Sequence, residues 1–108
     1  MRFLILVLVS SCGGATPFRW RAGAPCPVAR FEAMGTTAGG KVLVMGGFVS
    51  AQLDVTSRVD VYDPHSDSWA EGISLPGAQT HVGVSPYGGD VVLAGGFYGR
   101  LEIGRAHV

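Results

Sequence analysis

Lys41-Val42-Leu43-Val44-Met45-Gly46-Gly47, with Tyr62 and then Trp69 beyond it, is the stretch on which the fold turns. Four apolar residues in a row, 42–45, describe a short strand covered on both faces rather than one alternating between core and water. The double glycine that ends it lets the chain leave a buried strand where a Cβ would collide with neighbouring backbone. The same words return later: Gly46-Gly47-Phe48 recurs as Gly95-Gly96-Phe97, a spacing of 49 residues (95 minus 46). In that register Trp20 meets Trp69, Gly23 meets Gly72, Pro27 meets Pro76, Gly39-Gly40 meets Gly88-Gly89, and Val42 meets Val91. One coincidence would mean little, but this many in a single register make a period.

Within the period every segment reads as β. Residues 31–37 form a first strand, and Gly39-Gly40 supplies a tight hairpin turn. Residues 42–45 follow as the second strand, then a polar loop over 50–57. The alternating Arg58-Val59-Asp60-Val61-Tyr62 is the third strand, and Asp63-Pro64-His65-Ser66-Asp67 is a turn cluster. A fourth strand starts at Ser68-Trp69-Ala70 and ends near Leu75-Pro76-Gly77. The second copy restarts over 80–85, turns at Gly88-Gly89 and runs on through 90–94. Four short strands in about 50 residues, repeated, describe the blade of a β-propeller. The fold class is therefore all-β, an incomplete propeller with one full four-stranded blade and parts of two neighbours.

At this point the chain resembles the Kelch-repeat family, whose pattern is a hydrophobic strand ending in double Gly, then Tyr, then Trp after six intervening residues. KVLVMGG at 41–47, Tyr62 and Trp69 supply all of it, and DVVLAGG at 90–96 begins it again. Trp20 looks like the closing Trp of an earlier blade. The resemblance covers residues 18–98 and implies that 18–30 end a preceding blade, 31–77 are a complete blade and 78–101 start the next. It assigns architecture to Gly46, Gly47, Tyr62, Trp69, Gly95, Gly96 and Trp20, the two large rings filling space between stacked blades. One full blade falls short of the several units a repeat architecture needs to bury its faces. The isolated chain is thus expected to be partly unfolded or associated.

Composition narrows the rest. Seventeen Gly and six Pro sit beside 47% apolar residues, which describes a turn-rich globular chain. Eight Lys and Arg balance eight Asp and Glu, so there is no basic stripe to neutralise phosphates and nucleic acid is not an expected partner. The sequence contains no Asn, so it has no N-glycosylation sequon. Cys12 and Cys26 form neither a disulfide framework nor a zinc pattern.

The N-terminus reads as an export signal over residues 1–11. Arg2 precedes seven consecutive apolar residues, 3–9, far short of the roughly 20 that cross a bilayer but suited to a signal-peptide core. Val9-Ser10-Ser11-Cys12 resembles a bacterial lipoprotein box with Cys12 as the lipidated residue; an ordinary secretory signal is the alternative. Membrane contact is expected only through such an anchor, and the location is extracytoplasmic either way. At the other end Glu102-Ile103-Gly104-Arg105-Ala106-His107-Val108 back-translates to a common short-read sequencing adapter, so 102–108 are read as a non-native tail.

Chemistry is sparse. No nucleophile elbow, phosphate loop or zinc-protease motif is present, no catalytic residue or cofactor is assigned, and no metal site is expected. Asp63, His65 and Asp67 have metal-like spacing, but Pro64 and the missing Gly and Glu of a calcium loop favour a polar turn. The family resemblance implies that recognition belongs to the loops joining second to third and fourth to first strands, here 49–57 and 74–79. Gln52, Asp54 and Gln79 on those loops, with His81 at the mouth of the next first strand, are the candidate binding residues. The expected activity is binding of a protein or carbohydrate ligand. The alternative is the propeller domain of an exported enzyme, resembling copper radical oxidases or sugar isomerases, with its catalytic residues in other blades.

Overall fold

A computed structural model describes residues 4–5 and 18–99. Cys12 and residues 102–108 lie outside the described residues. Ten strands follow in chain order: β1 Leu4–Ile5, β2 Arg21–Ala22, β3 Met34–Ala38, β4 Lys41–Met45, β5 Val59–Asp63, β6 Ser68–Glu71, β7 Gln79–Thr80, β8 Gly83–Tyr87, β9 Asp90–Ala94 and β10 Phe97–Tyr98. Strands β3-β4-β5-β6 form one antiparallel meander, the complete blade. Strands β8 and β9 form the hairpin of the next, with β7 paired to β10 beside it. Arg21–Ala22, one period before Ala70 and Glu71 of β6, pairs with Leu4–Ile5.

The register explains why 42–45 is apolar throughout. Met34, Met45 and Val59 stand side by side across three strands, as do Thr36, Leu43 and Val61, so these residues share a face. Val42 lies beside Tyr62 and Val44 beside Asp60 on the other. The first face packs on the next hairpin: Met34, Met45, Val59, Leu75 and Val82 are buried together, with Leu43, Val61, Val84, Val91 and Leu93 against them. Each such side chain contributes about 1.5–3 kcal/mol when fully buried, and most of that burial exists only because two blades meet.

The fourth strand ends at Glu71 rather than near Leu75-Pro76-Gly77, because beyond Gly72 the chain leaves the ladder and Leu75 N–H donates to the Ser57 carbonyl at 2.8 Å. Two expected strand starts differ from the structure for one shared reason. The first strand begins at Met34 rather than Phe31, and the second copy's at Gly83 rather than Thr80. Glu32 (φ 52°) and His81 (φ 56°), 49 residues apart, both sit in the left-handed region, which is uncommon for bulky side chains. That kink interrupts each ladder. Before it Phe31 bridges Phe48, and Thr80 pairs with Phe97; after it the strand proper starts.

The double glycine does two separate things. A Cβ on Gly47 would lie 2.7 Å from the Phe31 carbonyl oxygen and 2.9 Å from the Ala33 Cα, so this glycine lets its own first strand pass. A Cβ on Gly46 would fall on the Gln79 carbonyl oxygen of the next repeat and reach 2.9 Å from the Met34 methyl. The adjacent Gly47 N–H donates to that same Gln79 carbonyl at 3.1 Å. Gly96 repeats the role of Gly47 against Thr80 and Val82, whereas Gly95 meets nothing within 4 Å.

At the outer edge the Tyr62 and Trp69 rings meet at 5.1 Å, tilted by 48°. Trp69 Nε1 donates to the Ala24 carbonyl at 2.8 Å, and Ala24 N–H donates to Asp67 Oδ1 at 2.7 Å. Tyr62 Oη donates to the same oxygen at 2.6 Å. Ile73, one period after Ala24, is 95% exposed, having no such clamp among the described residues.

The phenol's hydrogen bond, then the Ala24 amide, hold the Asp67 carboxyl below its ordinary range, and the same bond raises Tyr62. A depressed folded-state pKa means a contribution present above the unfolded value, about 3.9, and lost as pH falls through the folded one. Acid titration of Trp69 fluorescence should therefore show a transition below about pH 4 that Asp67→Asn removes. A transition unchanged by that substitution would count against the clamp.

Candidate functional site

The antiparallel meander sorts connections by length. At one end the chain reverses in tight turns at Gly39-Gly40, at 64–67 and at Gly88-Gly89. At the other end lie 46–58, 72–78 and the two kinked first-strand mouths at Glu32 and His81. The long connections 46–58 and 72–78 and the two kinked mouths thus lie together at one end of the blade, on the rigid scaffold that loop recognition requires.

The second-to-third connection is tied down rather than loose. Phe48 bridges Val55, Val49 N–H donates to the Asp54 carbonyl at 2.9 Å, and Ser50 Oγ donates to Asp54 Oδ2 at 2.7 Å. Gln52 and Asp54 stand exposed at its tip. Phe31 and Phe48 rings meet at 5.2 Å beneath it, beside a hollow of about 260 Å³ walled by Ala29, Arg30, Val49 and Ser50.

His81 lies at the blade joint. Its Nε2 is 3.1 Å from Glu32 Oε2, and its ring is approached edge-on by Phe97 at 5.6 Å and Phe48 at 6.2 Å. Glu32 and His81 side chains are both about half exposed. Thr80 Oγ1 donates to the Glu32 carbonyl at 2.9 Å, fixing the two mouths relative to each other. Gln79 is placed differently from Gln52 and Asp54: it is buried at 3% exposure, and its carbonyl receives Gly47. Gln79 belongs to the joint rather than to the solvent-facing surface.

Of the metal-spaced trio, Asp63 pairs with the Lys41 ammonium and accepts from His65 N–H at 2.9 Å, while Asp67 serves Tyr62 and Ala24. Lys41, ahead of the His65 amide, holds Asp63 below the usual carboxylate range. Both carboxylates are engaged in the turn and its surroundings.

Sequence reasoning missed the charged centre of the blade. Asp60 is fully buried, paired with the Arg30 guanidinium and with Arg58 at 2.8 Å. Arg30 Nη1 also donates to the carbonyls of Arg58 and Gly46 at 3.0 and 3.3 Å, and Arg58 continues to Glu71 at 2.9 Å. Burial, before any other cause, lowers the Arg30 pKa. The available signal was Asp60 in the middle of a strand of Val and Tyr, which alternation assigns to water.

The family profile described as Kelch motif matches residues 34–74, which spans β3 to β6. Kelch-like protein 23 of mouse and of human are each 30% identical over 79 residues, covering 72% of this chain. The chain spans only 14% of the length of these curated relatives. Among solved structures, the one titled Structure of YjhT superposes with a TM-score of 0.67 at 23% identity, covering 75% of this chain and 25% of that one. That likeness speaks to the fold alone. The superposed structure agrees with one complete blade of an incomplete propeller, and the repeat register and the matched motif meet in one conclusion: the chain belongs to the Kelch-repeat family.

Proposed function

We propose that this chain serves a binding module acting outside the cytoplasm, and that it engages a protein partner through residues 49–57 and 74–79 with His81 beside them. Kelch repeats generally act as interaction modules. The observation that carries the reading to these residues is the segregation of every long connection to one end of the blade, opposite three tight turns. Gln52 and Asp54, exposed on a loop braced by Ser50 and Phe48, are suited to contact at little ordering cost.

The paired substitution Gln52→Ala with Asp54→Ala is expected to weaken a purified protein partner about tenfold. Unchanged affinity would contradict the loop reading. Binding of a glycan instead would replace the protein partner by a carbohydrate, and turnover that depends on His81 would replace the module by an enzyme.

The extracytoplasmic part rests on residues 2–12. Cys12 is proposed as the lipidated residue, and lipid labelling in a bacterial host should be lost in Cys12→Ser. Equal label in both forms, or a mature N-terminus beyond Cys12, would mean an ordinary secretory signal.

A further inference from the structure

We infer that the surface made by Phe31, Glu32, His81 and Phe97 receives a cationic side chain, Lys or Arg, of a protein partner. This rests on the binding-module reading and names the partner chemistry that the joint between two blades would select.

The backbone that carries the Glu32 carboxylate is held in place before any ligand arrives. Its residue and His81 occupy equivalent positions of successive repeats, both in the left-handed region, and the Thr80 hydroxyl pins the Glu32 carbonyl across the joint. Nε2 of His81 lies 3.1 Å from one carboxylate oxygen, and the carboxylate has no hydrogen-bond donor among the described residues. A half-exposed carboxylate on a pinned backbone, with no hydrogen-bond donor of its own, is free to accept one from a cation.

The balance of Asp and Glu over Arg at this end is negative. Its arginines, Arg30 and Arg58, are engaged on Asp60 and Glu71. The acids left facing solvent here among the described residues are Glu32 and Asp54, the latter holding only the Ser50 hydroxyl and backbone. His81, turned to Glu32 and flanked by Phe48 and Phe97, is the remaining titratable group against the pair. A carboxylate-bearing partner would thus meet two acids, while a cation meets complementary potential.

The rings add the second half of the recognition. Phe31 and Phe97 are 44% and 56% exposed, against a core in which Phe48 is 3% exposed. Exposed aromatic faces beside a carboxylate attract ammonium and guanidinium groups through the ring quadrupole while covering their alkyl stems. Isolated exposed rings are ordinary; here Phe31 is the neighbour of Glu32 in the chain and Phe97 meets edge-on the His81 ring that lies against the Glu32 carboxylate, so the groups form one surface at the blade joint.

Two amidated seven-residue peptides test this on the whole chain: one with two arginines around a phenylalanine, and a twin with glutamates replacing the arginines. NMR of the His81 and Phe97 ring protons is the readout, and the Met34 and Met45 methyl signals report that the blade is intact. The arginine peptide is expected to shift both rings saturably, and Glu32→Gln to weaken it about tenfold, with added salt doing the same. Phe97→Ala, which leaves the carboxylate in place, should weaken it as well. Equal or tighter binding of the glutamate peptide, no binding of either, or an affinity untouched by both variants overturns the inference. If it is overturned while the Gln52 and Asp54 alanine pair still weakens partner binding about tenfold, the cationic specificity fails and the binding-module reading stands.

Discussion

Gly46→Ala is expected to destabilise the chain by about 3–4 kcal/mol, from left-handed backbone strain and overpacking together. The new methyl would fall on the Gln79 carbonyl oxygen, a backbone atom of the next repeat that cannot rotate away, and close on Met34. Relief would require the two blades to part, which also breaks the Gly47–Gln79 hydrogen bond and opens the buried cluster around Met34, Met45 and Val82. Gly95→Ala changes the same motif position one repeat on, where nothing lies within 4 Å and only φ of 77° opposes a side chain. That variant should cost about 1–2 kcal/mol. Urea midpoints at one fixed protein concentration compare them. Equal losses would mean that Gly46 is kept for its backbone angle and not for the passage of the next blade.

Asp60→Ala should cost about 3–5 kcal/mol, because it leaves the Arg30 guanidinium buried without its counter-charge. Arg30 side-chain exposure is 1% and that of Asp60 is 0%, so water cannot replace the missing partner. The attraction between the two is not itself the source of that figure. Arg30→Met together with Asp60→Leu removes both charges and is expected to recover much of the loss. Denaturant unfolding of the two variants beside the parent chain decides the matter. A loss within about 1 kcal/mol for Asp60→Ala, typical of an exposed pair, would place that network at the surface.

The architecture was legible because a propeller repeats its physics. Trp69, Tyr62 and the double glycines each answer a demand that recurs in every blade, so one register exposes them together, and β4, β5 and β9 fall where pattern and turn residues put them, as does the start of β6. Residues that hold one particular joint leave no echo. Arg30 is matched in register by Gln79, and although both are buried, one carries a charge to Asp60 and the other a carbonyl to Gly47. The alternation of Val59, Asp60 and Val61 describes a half-wet strand, yet Arg30 covers Asp60 from a segment 30 residues away. Local periodicity cannot register a cover that arrives from elsewhere in the chain.

The candidate surface was legible in outline only. Loop 49–57 and His81 follow from the family layout, and both lie at the irregular end of the blade. Glu32 and Phe97 were invisible because their meaning depends on the kink at two left-handed residues, and neither Glu nor His announces a positive φ. Phe97 reads as the residue after a double glycine, and only the joint brings it to His81.

The central claim is that residues 34–71 are one blade and that the blade docks on the repeat that follows. Isotope-labelled chain examined by NOE spectroscopy tests it most directly. The structure predicts cross-strand backbone contacts joining Gly35 to Val44, Val44 to Asp60 and Asp60 to Glu71, and a contact from the Gly47 amide to Gln79. Helical contacts within 42–45 or 59–62, or an intact four-stranded sheet in which Gly47 never meets Gln79, would contradict it.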